Sequence, residues 1–320
     1  MDTMDAFDRI LTVTLNPALD VSLWLSGFDT DEPNTVLRER TDAGGKGINV
    51  ARVLHALGVP VRTIGLAGGE NGGVLRGLLE ADGLAFDFMS IAGRVRENLS
   101  VVAPDGRLLK INRQGAAVPP SALEAFRARM LDALAGAGNP LVLFCGSLPP
   151  GVDRTAYRAL LFAARDAGAQ LGVDSTVLTM DDYAELRPFV IKPNRTEFAA
   201  LTGASADDTA AVARAAAPLF GRVAHILVSL GAQGLLHVDA DGCIAAVPPQ
   251  VPVRSTVGAG DTALAGFIAA LQRRMLLTDA VRYAAACGTA SVGLEGTCPI
   301  TPDMAAALFD STSVSRCTVG

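Results

Sequence analysis

The sequence predicts an α/β fold: a mostly parallel sheet covered by helices on both faces, with a small β-appendage beside it. Three observations carry this. Strand-length apolar runs alternate with helical stretches for most of the 320 residues. Runs such as Leu141–Cys145 (LVLFC) are apolar throughout, as in strands buried on both faces. Two stretches, Val21–Arg40 and Asn98–Asn112, instead alternate polar and apolar residues, as in a sheet with one wet face.

Element by element, Arg9–Leu15 (RILTVTL) reads as a first strand, Lys46–Leu57 as a helix and Val61–Leu66 as a strand. Helices follow at about 73–82 and 121–137, then the strand Leu141–Cys145. Asp153 is an N-cap residue opening a helix to about Ala167. Strands recur at Gln170–Val173, Phe189–Lys192 and His225–Leu230, with a helix over about 207–220 between the last two. Gly234–Val238 and Cys243–Ala246 flank Asp239-Ala-Asp-Gly242, a hairpin turn signal. The last third reads as helices at about 261–273, 278–292 and 301–309. The second appendage pair turns at Pro104-Asp105-Gly106. The chain is therefore expected to be one domain, 1–320, with appendage strands at about 21–40 and 98–112.

Composition narrows the function classes. Half the residues are hydrophobic and 19% are charged, which excludes disorder and allows a large core. The net charge is −6 and there is no basic stripe, so nucleic acid is not an expected partner. Five scattered cysteines without a C-x-x-C pair speak against structural zinc and a disulfide framework, and for a reducing cytoplasm. The N-terminus carries acids where a signal peptide carries bases. The longest uncharged run, 133–152, is broken by Gly and Pro into a helix end, a strand and a loop, so no membrane span is expected. His55, His225 and His237 lack metal-ligand spacing and read as structural.

The strongest chemical motif is Ser255-Thr256-Val257-Gly258-Ala259-Gly260-Asp261-Thr262, entering an apolar helix. Two glycines let successive N–H groups point at one spot, and the helix N-terminus adds its dipole. Such an anion hole suits a phosphoryl group in flight, with Asp261 at its mouth to accept the proton of an attacking hydroxyl. The plain alternative is a helix N-cap after a glycine turn. Gly44-Gly45-Lys46-Gly47-Ile48-Asn49 is a second loop-to-helix junction, without Walker A spacing, where Asn49 can bond sugar hydroxyls and Lys46 a phosphate. Lys192-Pro193-Asn194-Arg195-Thr196-Glu197 ends a buried strand, where open α/β sheets bind ligands. Asn194 and Glu197 can share a hydrated Mg²⁺ site, form a capping box, or do both. Ser229, Gly231 and Gly234 follow another strand and can line a nucleotide or make a tight turn. Asp20 and Ser147 also end strands, and Arg96 precedes the second appendage pair. No G-x-S-x-G elbow and no early G-x-G-x-x-G is present, which disfavours hydrolase and Rossmann dehydrogenase readings.

These motifs, in this order, resemble the PfkB (ribokinase-like) carbohydrate kinases over nearly the whole chain. Gly44–Ala51 and Ser255–Thr262 look like the family's two signatures. Thr14–Asp20, Gly146–Pro150, Lys192–Asn194 and Ser229–Gly231 resemble its phosphosugar branch: 1-phosphofructokinase, tagatose-6-phosphate kinase and the minor 6-phosphofructokinase. The resemblance implies a ribokinase-like three-layer α/β/α sandwich with a β-sheet lid, commonly a dimer through the lids. It implies ATP and Mg²⁺, Asp261 as base, and the amides of Gly258, Ala259 and Gly260 as anion hole. Asn194 and Glu197 would organise Mg-ATP, and Lys192, Ser229, Gly231, Gly234 and Thr256 would line the nucleotide site. Thr289 and its helix would flank the adenine. Asp20, Gly44, Gly45 and Asn49 would hold the sugar, with Arg96, Lys46 and Ser147 at its phosphate end. The lysine in Gly45-Lys46-Gly47 resembles 1-phosphofructokinase and tagatose-6-phosphate kinase, and the expected substrate is fructose 1-phosphate. Arg96-Glu97-Asn98-Leu99-Ser100 departs from the Arg-Ile-Asn-Val-Lys of 1-phosphofructokinases, because the strand-end lysine is absent. Within the class, the alternatives are the other two ketose phosphates or a neutral sugar or nucleoside. Outside it, the alternative is a non-catalytic sugar-phosphate sensor.

Overall fold

The structure is a computed structural model describing residues 6–204 and 208–317. In chain order the elements are β1 (Arg9–Thr14), β2 (Ala18–Leu25), β3 (Val36–Gly44), α1 (Lys46–Ala56), β4 (Arg62–Gly68), α2 (Gly72–Ala81), β5 (Ala85–Ile91), β6 (Arg96–Val102), β7 (Leu108–Asn112), α3 (Pro120–Leu134), β8 (Pro140–Cys145) and α4 (Arg154–Asp166). There follow β9 (Gln170–Asp174), α5 (Met180–Leu186), β10 (Val190–Ile191), α6 (Arg195–Thr202), α7 (Thr209–Ala216), β11 (His225–Ser229), β12 (Leu235–Asp239), β13 (Gly242–Val247), α8 (Ala259–Gln272), α9 (Leu277–Val292), α10 (Pro302–Phe309) and β14 (Ser313–Cys317).

The large sheet has the order β14-β13-β12-β11-β10-β9-β8-β1-β4-β5. It is parallel from β11 to β5, and the β11–β14 edge is antiparallel. Its central strands are largely apolar because both faces are covered. In β8, Val142 and Phe144 join the core under α3, α4 and α7, while Leu141 and Leu143 join the core under α1, α8 and α9. The period-2 geometry of one strand thus serves two helical layers. A third cluster, with Leu75, Leu79 and Phe88, seats α2 beside β5.

The small sheet has the order β3-β2-β6-β7. It starts earlier than the sequence suggested, at Ala18 and Arg96, because β2 and β6 pair in parallel from Ala18↔Arg96 onward. Antiparallel pairing sets Asp20 opposite Asp42 and Ser100 opposite Lys110. One face therefore carries Asp20, Arg40, Asp42, Arg96, Asn98, Ser100 and Lys110. The other carries Val21, Leu23, Leu99, Val101, Leu109 and Ile111, the last two about half exposed.

The structure also departs from the sequence reading elsewhere. β5, α5 and β14 were not predicted, and β10 shrinks to two residues. The helix expected over 207–220 runs as α7 followed by a 3-10 turn at Ala217–Leu219, and residue 207 lies outside the described residues. Cys145, Cys287 and Cys298 are free thiols, but Cys243 is disulfide-bonded, against the expectation from cysteine spacing. His225 and His237 are structural, as expected: their rings share a 3.0 Å Nδ1···Nε2 contact inside the core. Among the described residues no helix is long and apolar enough to cross a membrane.

Candidate active site

The carboxyl ends of β8, β9 and β10 converge with the N-termini of α1 and α8, the crevice where open α/β sheets place ligands. Gly258 is the N-cap of α8 at φ +78°, a left-handed conformation that glycine adopts without strain. No side chain caps this end, which leaves the first-turn amides of Gly260 and Asp261 open, while Ala259 N donates back to Thr256 O at 3.5 Å. Gly260 also permits a close approach: a Cβ there would stand 2.9 Å from Lys192 Nζ.

Asp261 is buried at 6% exposure. Asn49 Nδ2, on the first turn of α1, donates to Asp261 Oδ2 at 2.8 Å. Burial, and next the nearby charge of Asp174, push the Asp261 carboxyl up to about 7, against the pull of the Asn49 hydrogen bond. A carboxylate poised near neutrality suits a general base.

Asp174 ends β9, is 2% exposed, and holds two lysines: Lys46 Nζ donates to Oδ1 at 2.7 Å, and Lys192 Nζ lies 3.1 Å from Oδ2. Burial alone would raise Asp174, but the ammonium groups of Lys192 and Lys46 outweigh it and hold the carboxyl below its usual value. For Lys46, burial is likewise outweighed by Asp174, and the ammonium is held above its usual value. Lys46 Nζ also reaches Glu197 Oε1 at 3.3 Å. The sequence reading missed Asp174. Its only signal was an acid closing an apolar strand (Gln-Leu-Gly-Val-Asp), and its partners lie 128 and 18 residues away.

Asn194 and Glu197 do form the capping box of α6: Asn194 Oδ1 accepts from Glu197 N at 2.9 Å, and Glu197 Oε2 accepts from Asn194 N at 2.8 Å. Glu197 Oε1 remains turned toward Lys46. Asp174, Glu197 and Asn194 thus offer hard oxygen donors, which fit a hydrated Mg²⁺ better than a softer metal. Asn194 bridges Ser229 in parallel register, and the buried Ser229 hydroxyl has no hydrogen-bond partner. Gly231 opens a 3-10 turn ending before Gly234, whose backbone lies against Ala246 O. Thr256 is exposed on the turn before Gly258. Thr289 is half-buried on α9, next to Gly288, where a Cβ would come within 3.1 Å of Ala259 O.

A second group sits on the polar face of the small sheet. Asn98 Nδ2 donates to Asp20 Oδ1 at 2.8 Å, and burial raises the Asp20 carboxyl while lowering Arg96. A Cβ at Gly44 would run into the Asp20 carboxylate and displace it from Asn98. Gly45 links this sheet to α1. Ser147, after β8, is exposed and accepts from Asn16 Nδ2 at 3.4 Å. Lys46 stands apart from this group: α1 aims it at β9, where it pairs with Asp174 and Glu197. Lys110, which sequence reading passed over, joins the group through its register with Ser100. A cavity of about 550 Å³ opens at the opposite end of β9 and β10, near Arg165, Arg187 and Arg222, and holds none of these residues.

The pfkB family carbohydrate kinase model matches residues 14–304. The chain is 35% identical over 308 residues to the 1-phosphofructokinase of Rhodobacter capsulatus, covering 96% of this chain and 97% of that one. It is 38% identical over 326 residues to the 1-phosphofructokinase of Haloferax volcanii, covering 97% and 99%. Phosphofructokinase-2 from Escherichia coli, solved with substrates and products, superposes with a TM-score of 0.87 at 30% identity over 94% of this chain and 98% of that one. A possible 1-phosphofructokinase from Thermotoga maritima shares the fold, with a TM-score of 0.84 at 23% identity over 97% and 100%. With the family model spanning residues 14–304 and relatives 35–38% identical along nearly their whole length, the chain belongs to the pfkB family of carbohydrate kinases.

Proposed function

We propose that this kinase transfers the γ-phosphoryl group of ATP to a hydroxyl of fructose 1-phosphate, giving fructose 1,6-bisphosphate. The single observation that carries the reading is the buried Asn49–Asp261 pair at the uncapped N-terminus of α8, beside Lys192. In this reading Asp261 takes the hydroxyl proton as the sugar oxygen attacks phosphorus, and the bridging oxygen leaves with ADP. The amides of Gly258–Gly260 and the ammonium of Lys192 face the charge that develops on the phosphoryl oxygens. Mg²⁺, when bound, would neutralise the triphosphate, and Asn194, Glu197 and Asp174 would hold it, largely through water. Ser229, Gly231, Gly234, Thr256 and Thr289 would border the nucleotide.

Asp20, Gly44, Gly45 and Asn49 would bind the sugar. Arg96, Lys110 and Ser147 would take its phosphate. Lys110 stands across from Ser100, the position where the strand-end lysine was expected, and so supplies a cation on the same face from the neighbouring strand. The 35–38% identities to 1-phosphofructokinases support fructose 1-phosphate over the other ketose phosphates.

The chain would act as one domain with the small sheet as its lid, dimerised through the lid's apolar face. The compartment proposed is the cytoplasm, where ATP and sugar phosphates are found. A coupled ADP-release assay with fructose 1-phosphate, fructose 6-phosphate, tagatose 6-phosphate and their unphosphorylated parents tests the reading. Turnover should be fastest with fructose 1-phosphate and fall by roughly 10²–10⁴ in Asp261→Asn, the range for a positioned base. Equal turnover of unphosphorylated fructose, or an active Asp261→Asn, would refute it.

A further inference from the structure

The loop between α9 and α10 is held by three arginines from two different bodies. From the small sheet, Arg38 Nη2 reaches Glu295 Oε2 at 3.0 Å, and Arg40 Nη2 donates to Cys298 Sγ at 3.0 Å. Arg40 also donates to Asp42 Oδ1 at 2.7 Å, and the hydrogen bonds to Cys298 and Asp42 raise its affinity for its proton. From α1, the buried Arg52 donates to Thr297 O at 3.0 Å and to Thr297 Oγ1 at 3.3 Å, while pairing with Asp82 at 2.7 Å. The loop in turn touches the anion hole: a Cβ at Gly258 would stand 3.5 Å from Thr297 Cγ2. At Gly296, φ +61°, the loop folds back on Asp42, within 3.3 Å of an added Cβ. The approach to the anion hole is fixed to the same helix end, since Arg254 N and Ser255 N both donate to Val292 O.

We propose that Glu295–Cys298 is a strap that sets the anion hole according to the position of the small sheet, with Arg40 as the positioning residue on the lid side and Arg52 as its fixed anchor. Arg52 lies one helical turn from Asn49, so α1 steadies the strap and Asp261 together. When sugar phosphate draws the small sheet down, β3 carries Arg40 and Arg38 with it. The strap follows, and Thr297 presses on Gly258. The exposed Arg38–Glu295 pair contributes little by itself. The Arg40–Cys298 contact is half-buried, and Asp42, which Arg40 also holds, lies against Gly296 of the same loop.

This inference rests on the kinase reading, and the test separates the two. Arg40→Met removes the grip without adding charge, and Arg40→Lys keeps part of it. With ATP and fructose 1-phosphate, Arg40→Met should lose roughly tenfold in kcat, with KM for ATP within about twofold, the pattern of an interaction expressed only in the transition state. Arg40→Lys should recover part of the loss. Amide hydrogen exchange gives a readout independent of turnover. In the unaltered protein, fructose 1-phosphate without nucleotide should slow exchange over residues 256–262 and 293–299. In Arg40→Met it should slow exchange only over the small sheet. An unaltered protein that turns over no ketose phosphate would defeat the kinase reading. An active Arg40→Met with unchanged kcat, or with ligand-induced protection still reaching residues 256–262, would defeat the strap.

Discussion

The Asn49–Asp261 contact gives a quantitative handle on the base. In Asn49→Ala, Asp261 keeps its burial and the repulsion of Asp174 but loses the one hydrogen bond that favours its charged form. A hydrogen bond to a charged group is worth roughly 1.5–3 kcal/mol, and 1.36 kcal/mol corresponds to one pKa unit. The carboxyl at about 7 should therefore rise by roughly one to two units. The assay is kcat/KM against pH, which reports the free enzyme's essential base. The unaltered protein should gain activity as pH rises through about 7 and then level off. The variant's ascending limb should move to roughly 8–9, leaving between about a tenth and a hundredth of its plateau at pH 7 and recovering in alkali. Any loss of sugar binding scales the whole profile and leaves its midpoint alone. A variant profile that is lowered but has its midpoint still near 7 would refute the role given to Asn49, and with it the identity of the titrating group.

Three further outcomes are expected. Asp174→Asn strips the buried Lys192 of its counter-charge, and breaking a buried pair costs about 3–5 kcal/mol, so thermal unfolding should begin well below that of the unaltered protein, whereas Glu197→Gln should change it little. Burial holds His225 and His237 down to about 3 and about 4, below their ordinary 6.5; the unfolded chain then binds more protons as pH falls from 6.5, so stability is lost toward pH 4 by up to about 1.4 kcal/mol per pH unit for each ring, and urea melts of a His225→Phe, His237→Leu variant should lose that slope. Leu37 is 70% exposed beside the apolar face of the small sheet, and sedimentation should find a dimer that Leu109→Asp with Ile111→Asp turns to monomer; a variant that stays dimeric would move the interface elsewhere.

The parallel core was legible because burial on both faces leaves uninterrupted apolar runs, and Leu141–Cys145 is such a run. Ala85–Ile91 was not legible, since an edge strand needs only one apolar face and AFDFMSI mixes both characters. Ser313–Cys317 is polar and completes the sheet only through register with β13, which local sequence does not encode. Within the site, each glycine-rich turn could be read from local backbone demands. Asp174 and Lys110 could not: one is defined by a lysine opening α1 and another following β10, the other by the residue across the hairpin.

The capping box of α6 has a consequence of its own. Glu197 is fixed at both ends of its reach, one oxygen on Asn194 N and the other facing Lys46. Immobilising a free glutamate side chain costs up to about 2 kcal/mol of rotamer entropy, and here helix formation has already met that cost before any nucleotide arrives. If Glu197 helps to hold Mg-nucleotide as proposed, ligand affinity and the local melting of one short helix are thermodynamically linked. A substitution that frays residues 195–197 would then weaken nucleotide binding without touching the nucleotide, and bound nucleotide would in turn hold that helix end shut.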